Sequence, residues 1–314
     1  MLTRRHIRVK VLQSLYAFYL SDDSSLDKQE KFLKHSIVQM LELHALLLQL
    51  LVDLRDHADN YMKKSQVKHL ATEQEKNPSR SFVDNKVIDL LAKNESLSQF
   101  LQNKKLDNWK NDNEYIAILF NELKEQDWYD EYLENKNHNF KEDQDFVLRL
   151  YREVIAPNEK LYEYIEDTRL TWIDDFPLVN MSIVKMLSKI SESNTSYIFS
   201  PDVYKNEEDE QFSIDLLQKV ILNDDKLSAQ IDDKTPNWDK DRIAEIDMIL
   251  LKMGIAEFLY FSSIPIKVTI NEYLEVSKEY STPKSSLFIN GILDKLVKEF
   301  IADNKLNKSG RGLR

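Results

Sequence analysis

The histidines, acids and glycines of this sequence form none of the familiar catalytic patterns. None of the six histidines belongs to a His-Glu-x-x-His metal motif or lies beside a Gly-x-Ser-x-Gly nucleophile motif. There is no cysteine, and the four glycines cannot build a glycine-rich phosphate loop. The acidic pairs Asp174–Asp175 and Asp232–Asp233 are predicted to lie in turns, where solvated acids are much more common than catalytic ones. The sequence therefore predicts a protein that acts by binding and is not an enzyme, without a metal or a cofactor.

Cations at the two ends of the chain suggest what it binds. Residues 1–10 hold Arg4, Arg5, Arg8 and Lys10 without an acid, and residues 304–314 also carry a charge of +4. The net charge of the whole chain is −11, which leaves −19 for the residues between these ends. Cationic side chains supply the sequence-independent part of binding to nucleic-acid phosphates, whereas an acidic body repels phosphate. The pattern predicts local phosphate contact, and solvated charged termini are the alternative interpretation.

Helices must position these cations, because helix formers dominate a chain with only four glycines and seven prolines. Apolar periodicity predicts helices over 9–20, 27–64, 239–262, 268–280 and 287–300, and the polar residues 72–85 are predicted to form a loop. The longest apolar run is much shorter than a bilayer requires, and the N-terminus lacks the apolar core of a signal peptide. We expect an all-α cytoplasmic protein that does not enter a membrane.

The middle of the chain repeats itself. Residues 146–187 align without gaps with residues 212–253, and a weaker third copy lies upstream. Trp109, Trp172 and Trp238 fall at matching positions, which favours duplication over a chance likeness between amphipathic helices. Repeats of this length usually pack against their neighbours. We expect the three tryptophans to be half-buried at equivalent helix junctions.

Both ends of the chain resemble the NusB family. RRHIRVKVLQSLYAFYLS is similar to the family's first helix, an Arg-rich start followed by Leu-Gln-x-Leu-Tyr. DRIAEIDMILLKMGIAEFLY resembles a later helix, and IPIKVTINEYLEVSKEY followed by SSLFINGILDKL resembles the signature with which the family ends. The resemblance covers residues 4–21 and 211–300. The segment between them, residues 22–210, is far longer than the usual middle segment of the family.

The resemblance implies an all-α fold, a NusB-like helical bundle with a long helical insertion. The expected parts are residues 1–21 as the first helix with its basic N-terminus, 22–210 as the insertion with internal repeats, 211–303 as the C-terminal helical region and 304–314 as a basic tail. Leucines on the apolar faces are expected in the core, namely Leu12, Leu15, Leu250 and Leu293.

Polar residues and glycine in the C-terminal signature have structural interpretations. Asn271 and Glu272 are expected at the start of a helix, where an amide and a carboxylate can satisfy free N–H groups. Gly291 lies inside an apolar helix, where it costs about 1 kcal/mol relative to alanine. Close helix packing would explain its presence.

The same resemblance implies a transcription antitermination factor that binds boxA-like single-stranded RNA of ribosomal RNA transcripts. Its partners would be NusE, the ribosomal protein that completes the family's RNA-binding heterodimer, and the transcription elongation complex. The candidate RNA-binding residues are Arg4, Arg5, Arg8, Lys10, Lys284 and Phe288, and the candidate partner-binding residues are Tyr16 and Asp247. The family often has an acid where Lys284 stands. Phe288 can stack on a base or pack in the core, and Asp247 can equally be a solvated helix acid.

Two other functions fit the same residues. One is a non-catalytic protein-binding scaffold that keeps a NusB-like fold without RNA binding, which the acidic body favours. The other is an RNA-binding accessory domain such as some ribosomal RNA methyltransferases carry. The basic ends favour the antitermination factor. Four cations at the start of one helix oppose its dipole, which predicts an anionic neighbour, and we expect all four to remain exposed.

Overall fold

Helices form every secondary-structure element longer than one residue in the described part of the computed structural model, residues 2–21, 25–70, 72–135, 137–193, 198–234 and 243–313. The α-helices are α1 Arg4–Leu20, α2 Leu26–Gln66, α3 Glu73–Lys76, α4 Lys86–Ala92, α5 Glu95–Lys104, α6 Asn108–Asn111, α7 Asn113–Lys124, α8 Asp127–Glu134, α9 Phe140–Leu150, α10 Glu159–Thr168, α11 Leu170–Leu187, α12 Glu207–Leu222, α13 Asp224–Asp232, α14 Glu245–Tyr260, α15 Ile266–Tyr280 and α16 Ser285–Ala302. A π-helical turn, Tyr151–Ile155, follows α9, and a 3-10 turn, Gly310–Leu313, lies in the tail. The all-α class is confirmed.

The chain divides into two compact units. Unit 1 comprises residues 1–37 and 202–314, and unit 2 comprises residues 38–201. The insertion was predicted at residues 22–210, but residues 26–37 of α2 and the whole of α12 belong to unit 1. Unit 2 therefore begins later and ends earlier than the predicted insertion.

Unit 1 is a bundle in which α1 packs against α12, α14 and α15, and α16 packs against α14 and α15. Helix α14 is buried along nearly its whole length, because its neighbours cover it on several sides. The four leucines expected in the core are at most 3% exposed, as predicted. The bundle therefore fixes the N-terminal end of α1 against α14 and α15.

The glycine that allows close helix packing is Gly254 of α14, not Gly291 of α16. A Cβ atom added to Gly254 would lie 3.1 Å from a methyl carbon of Leu293, so the two helices approach closely there. A Cβ atom on Gly291 would have no neighbour within 4 Å. The packing explanation offered for Gly291 is therefore wrong, because its face of α16 is exposed.

In unit 2, α2 accepts hydrogen bonds from two of the repeated tryptophans. The indole N–H of Trp109 donates to the Leu46 carbonyl, and that of Trp172 donates to the Gln39 carbonyl, both at 2.8 Å. The two carbonyls lie about two helical turns apart on one helix. Trp109 and Trp172 are 2% and 0% exposed, so the expectation of half-burial is wrong for them; Trp238 lies outside the described residues.

Equivalent caps begin the matching helices of two copies. Asn94 caps the start of α5 and Asn158 caps the start of α10, and each side chain accepts a hydrogen bond at 2.8 Å from the backbone N–H three residues later. Both helices then run for ten residues. An asparagine in this position satisfies one of the free N–H groups at a helix start, so the sequence match reflects shared local structure.

Among the described residues, α2 is long and apolar enough to cross a membrane by length and composition alone. The mean hydropathy of its most apolar window is 1.7. In the structure 72% of that window is buried, and a core helix passes the same test. The longest uninterrupted apolar run in the sequence is therefore a poor guide to the length and hydropathy of α2.

Candidate functional site

The first two turns of α1 carry three arginines on one face. Thr3 caps the helix: its hydroxyl accepts a hydrogen bond from the backbone N–H of His6, whose ring accepts one from the Thr3 N–H. Arg8 follows Arg4 by four residues and Arg5 by three, and side chains at these spacings are neighbours on a helix surface. The helix therefore holds three guanidinium groups together at its N-terminal end.

Arg8 forms a buried ion pair with Glu257 of α14. Its Nε and Nη2 donate to the two Glu257 carboxylate oxygens at 2.9 and 2.7 Å, and the two side chains are 2% and 0% exposed. The hydroxyls of Thr269 and Tyr273 also donate to Glu257, at 2.6 and 3.1 Å. Burial alone would lower the pKa of Arg8, but attraction and hydrogen bonds to Glu257 outweigh burial and raise the pKa. Arg8 is therefore a charged residue of the core.

Arg5 and Arg4 form ion pairs closer to solvent. Arg5 donates from Nε and Nη2 to the two carboxylate oxygens of Glu272 at 3.0 and 2.9 Å, and these hydrogen bonds raise its pKa. The Nε of Arg4 donates to Asp209 at 2.7 Å, and its Nη2 lies 3.7 Å from Glu208. The side chains of Arg4 and Arg5 are 37% and 38% exposed. The predicted anionic neighbours are thus carboxylates of this chain.

Two of the four cations predicted at the start of α1 are not exposed. Arg8 and Lys10 are each 2% exposed, because residues 7–12 of α1 are all buried in the bundle. The expectation that all four cations remain exposed is therefore wrong for this pair. The expectation that Glu272 lies at a helix start is also wrong: α15 begins six residues earlier, and Glu272 pairs with Arg5.

A groove of about 600 Å³ lies beside the arginines. Its walls are the N-terminal end of α1, the start of α12, the start of α15 with the segment before it, and the 3-10 turn of the tail. Its charged lining residues other than histidine are Arg4, Arg5, Arg8, Arg311, Glu208 and Glu272. Four of these residues are arginines, so the groove is hereafter called the arginine groove. Once the partners Asp209 and Glu257 are counted, the four arginines face four acids, and only Arg311 lacks a carboxylate partner among the described residues.

The turn between α15 and α16 is a separate place, because Lys284 and Phe288 do not line the arginine groove. Lys284 is exposed and Phe288 is half-buried. Asp247 of α14 is 5% exposed and accepts hydrogen bonds from the hydroxyls of Ser281 and Ser285, at 2.6 and 2.7 Å. The interpretation of Asp247 as a solvated helix acid is wrong, because its carboxylate is buried and holds this turn. Of the two candidate partner-binding residues, Tyr16 is the accessible one, at 40% exposed.

Sequence reasoning missed the acids that pair with the arginines, and it missed Arg311. Glu257 did leave a signal, since it stands in the otherwise apolar stretch 253–260 of α14, and a buried acid requires a partner. Arg311 left only the general positive charge of the tail. Its place in the groove depends on how the tail folds back, which no local pattern specifies.

The described residues contain no group of three or more His, Asp or Glu side chains that could hold a metal ion. Asp174 and Asp175 lie within α11, so the prediction that they lie in a turn is wrong; Asp174 is exposed as predicted, whereas Asp175 is 2% exposed. Asp232 is the last residue of α13 and Asp233 follows it. The fold and the site define an all-α helical bundle with a groove lined by arginines.

Comparisons with known proteins identify the family. The NusB family model matches residues 178–298. Over 116 residues the chain is 41% identical to the transcription antitermination protein NusB of Chloroherpeton thalassium, covering 37% of this chain and 55% of that protein. It is 37% identical over 102 residues to NusB of Salinibacter ruber, covering 32% and 64%. The alignments thus span less than two thirds of these two relatives. No solved structure matches the chain.

NusB of Thermodesulfovibrio yellowstonii is 40% identical over 101 residues, which is 32% of this chain and 67% of that protein. The chain therefore belongs to the NusB family. The family match starts at residue 178, inside α11, and includes α12 to α15 and most of α16. The arginines of α1 lie outside it, and they meet the matched region through Asp209, Glu257 and Glu272.

Proposed function

We propose that this protein is a transcription antitermination factor that binds boxA-like single-stranded RNA of ribosomal RNA transcripts together with NusE, within the transcription elongation complex. Family membership and the names of its relatives support the antitermination role. The observation that carries the RNA-binding role is the pair of partly exposed guanidinium groups, Arg4 and Arg5, on the arginine groove. Acting on nascent transcripts would place the protein in the cytoplasm.

Arg4 and Arg5 can contact RNA without losing their ion pairs. A guanidinium group has five N–H donors, whereas Arg4 donates one hydrogen bond to Asp209 and Arg5 donates two to Glu272. The remaining donors can bind phosphate oxygens, for which the planar guanidinium is well suited. Arg8 is buried behind them and contributes charge and packing to the groove.

The turn between α15 and α16 would form a second part of the RNA surface. Lys284 is exposed there, and Phe288, which is half-buried, is the candidate for stacking on a base. Tyr16 is our candidate for contact with NusE. Asp247 would act on the partner surface only indirectly, by holding the turn through Ser281 and Ser285.

A second candidate function is a non-catalytic protein-binding scaffold with a NusB-like fold. The observation that favours it is that Arg4, Arg5 and Arg8 already have carboxylate partners. An external anion is therefore not needed to neutralise them. In both functions the protein acts by binding.

Fluorescence anisotropy with a labelled boxA-like RNA and a scrambled RNA of the same composition tests the proposal. We expect the full-length protein to bind the boxA-like RNA more tightly, and more tightly still when NusE is present. Because phosphate contacts release counterions, the logarithm of the association constant should fall with the logarithm of the salt concentration by about 0.7 per contact. An absence of RNA binding, even with NusE, would refute the RNA-binding role and favour the scaffold.

A further inference from the structure

The C-terminal tail folds back onto the end of α14. The backbone N–H of Ser309 donates to the Ser262 carbonyl at 3.0 Å. The Lys308 Nζ donates to the carbonyls of Glu257 and Phe261 at 3.3 and 2.9 Å. Carbonyls at the end of a helix lack partners within the helix and carry partial negative charge, so a lysine is favourable there. The basic tail is thus a docked segment.

Gly312 fixes the position of the docked tail. It is buried, and its N–H donates to the Ser309 carbonyl at 2.9 Å. A Cβ atom at this position would lie 1.9 Å from the Ser262 carbonyl oxygen, a distance that no real contact allows. The close approach of the two backbones therefore requires glycine. It sets the position of Arg311, the residue immediately before it.

Arg311 lines the arginine groove together with Arg4, Arg5 and Arg8. It is exposed, and its guanidinium takes part in none of the ion pairs or hydrogen bonds found among the described residues. The three arginines of α1 all have carboxylate partners. Arg311 therefore has the largest set of donors available to an anion in this groove.

We propose that the docked tail, residues 308–313, is one wall of the RNA-binding groove and that Arg311 contacts an RNA phosphate. This inference rests on the proposed function and adds a residue beyond the region that matches the family, residues 178–298. Lys308 would have a positioning role, because it ties the tail to the carbonyl of Glu257, whose side chain holds Arg8. The tail and the start of α1 would thus present their cations to the same ligand.

The test compares Arg311→Ala with Lys305→Ala in the full-length protein. Both variants remove one cation from the tail, but Lys305 does not line the groove and pairs with Asp303 at 2.8 Å. With the labelled boxA-like RNA, we expect Arg311→Ala to reduce the salt dependence of binding by about 0.7, one lost contact with single-stranded RNA. Lys305→Ala should leave it unchanged. Gly312→Val, which keeps every charge but cannot dock, should behave like Arg311→Ala.

The outcomes separate this inference from the proposed function. If the wild type binds RNA and Arg311→Ala does not change the salt dependence, the tail contact is refuted and the RNA-binding role stands. Equal losses in Arg311→Ala and Lys305→Ala would also refute it, because they would indicate general charge attraction. A wild type that binds no RNA refutes both. Circular dichroism of each variant checks that the fold is retained.

Discussion

Replacing Glu257 by glutamine should lower the free energy of unfolding by about 3–5 kcal/mol, because the change leaves the Arg8 charge buried without its partner. Both side chains are at most 2% exposed, so water cannot replace the lost carboxylate. Thr269 and Tyr273 would also lose the charged acceptor of their hydroxyl groups. Urea unfolding followed by circular dichroism measures the effect.

Glu275→Gln is the matched control for Glu257→Gln. The chemical change is the same, but Glu275 and its partner Lys278 are 42% and 57% exposed. Exposed ion pairs contribute about 0–1 kcal/mol, so this variant should be nearly as stable as the wild type. Equal losses of stability in the two variants would contradict the account of Arg8 and Glu257 as a buried pair.

Lowering the pH should destabilise unit 2 through His44 of α2. The ring is fully buried against Phe199, with centroids 6.1 Å apart, and neither ring nitrogen has a hydrogen-bond partner among the described residues. Burial lowers the pKa of His44 to about 3, whereas the unfolded chain has the ordinary value of about 6.5. The unfolded state therefore binds the proton first. The contribution of His44 to the free energy of unfolding is therefore complete above a pH of about 6.5 and is lost as the pH falls toward about 3.

His44→Leu isolates this contribution. When the pH is lowered from about 7 to about 4.5, the free energy of unfolding of the variant should rise by about 2.5 kcal/mol relative to that of the wild type. The wild type alone loses stability at this position, because its unfolded state binds a proton there. Tryptophan fluorescence during urea unfolding is a suitable signal, because Trp109 and Trp172 pack against the same helix. His69→Leu is the control, since His69 belongs to the same unit and is exposed. A stability difference that does not change with pH would refute the prediction.

Local patterns predicted the long helices because helix formation depends on nearby residues, but the segment predicted as a loop, 72–85, contains the short helix α3. Apolar periodicity predicted the long helix α2, and aligned copies predicted the equivalent starts of α5 and α10, where Asn94 and Asn158 act as caps. The resemblance at the two ends predicted the family. These signals are all contained within short stretches of sequence.

Burial of individual polar residues could not be predicted in the same way. Arg8 and Glu257 are 249 positions apart in the chain, so nothing near Arg8 indicates that it is paired and buried. Likewise, Gly254 and Gly291 both lie in apolar helices, but only the packing of α14 against α16 shows which of them needs to be glycine. Asp247 depends on serines 34 and 38 residues away. The candidate site was therefore predicted as a basic end of a helix, but not as a groove.

The most direct test of the RNA-binding role is the salt dependence of binding in the double variant Arg4→Ala, Arg5→Ala. The control is Lys295→Ala, Lys298→Ala, which removes two exposed cations from α16 in the same unit without touching the groove. With labelled boxA-like RNA, the first variant should reduce the salt dependence by about 1.4, two contacts of about 0.7 each. The control should match the wild type. Equal salt dependence in the wild type and the arginine variant would contradict the account.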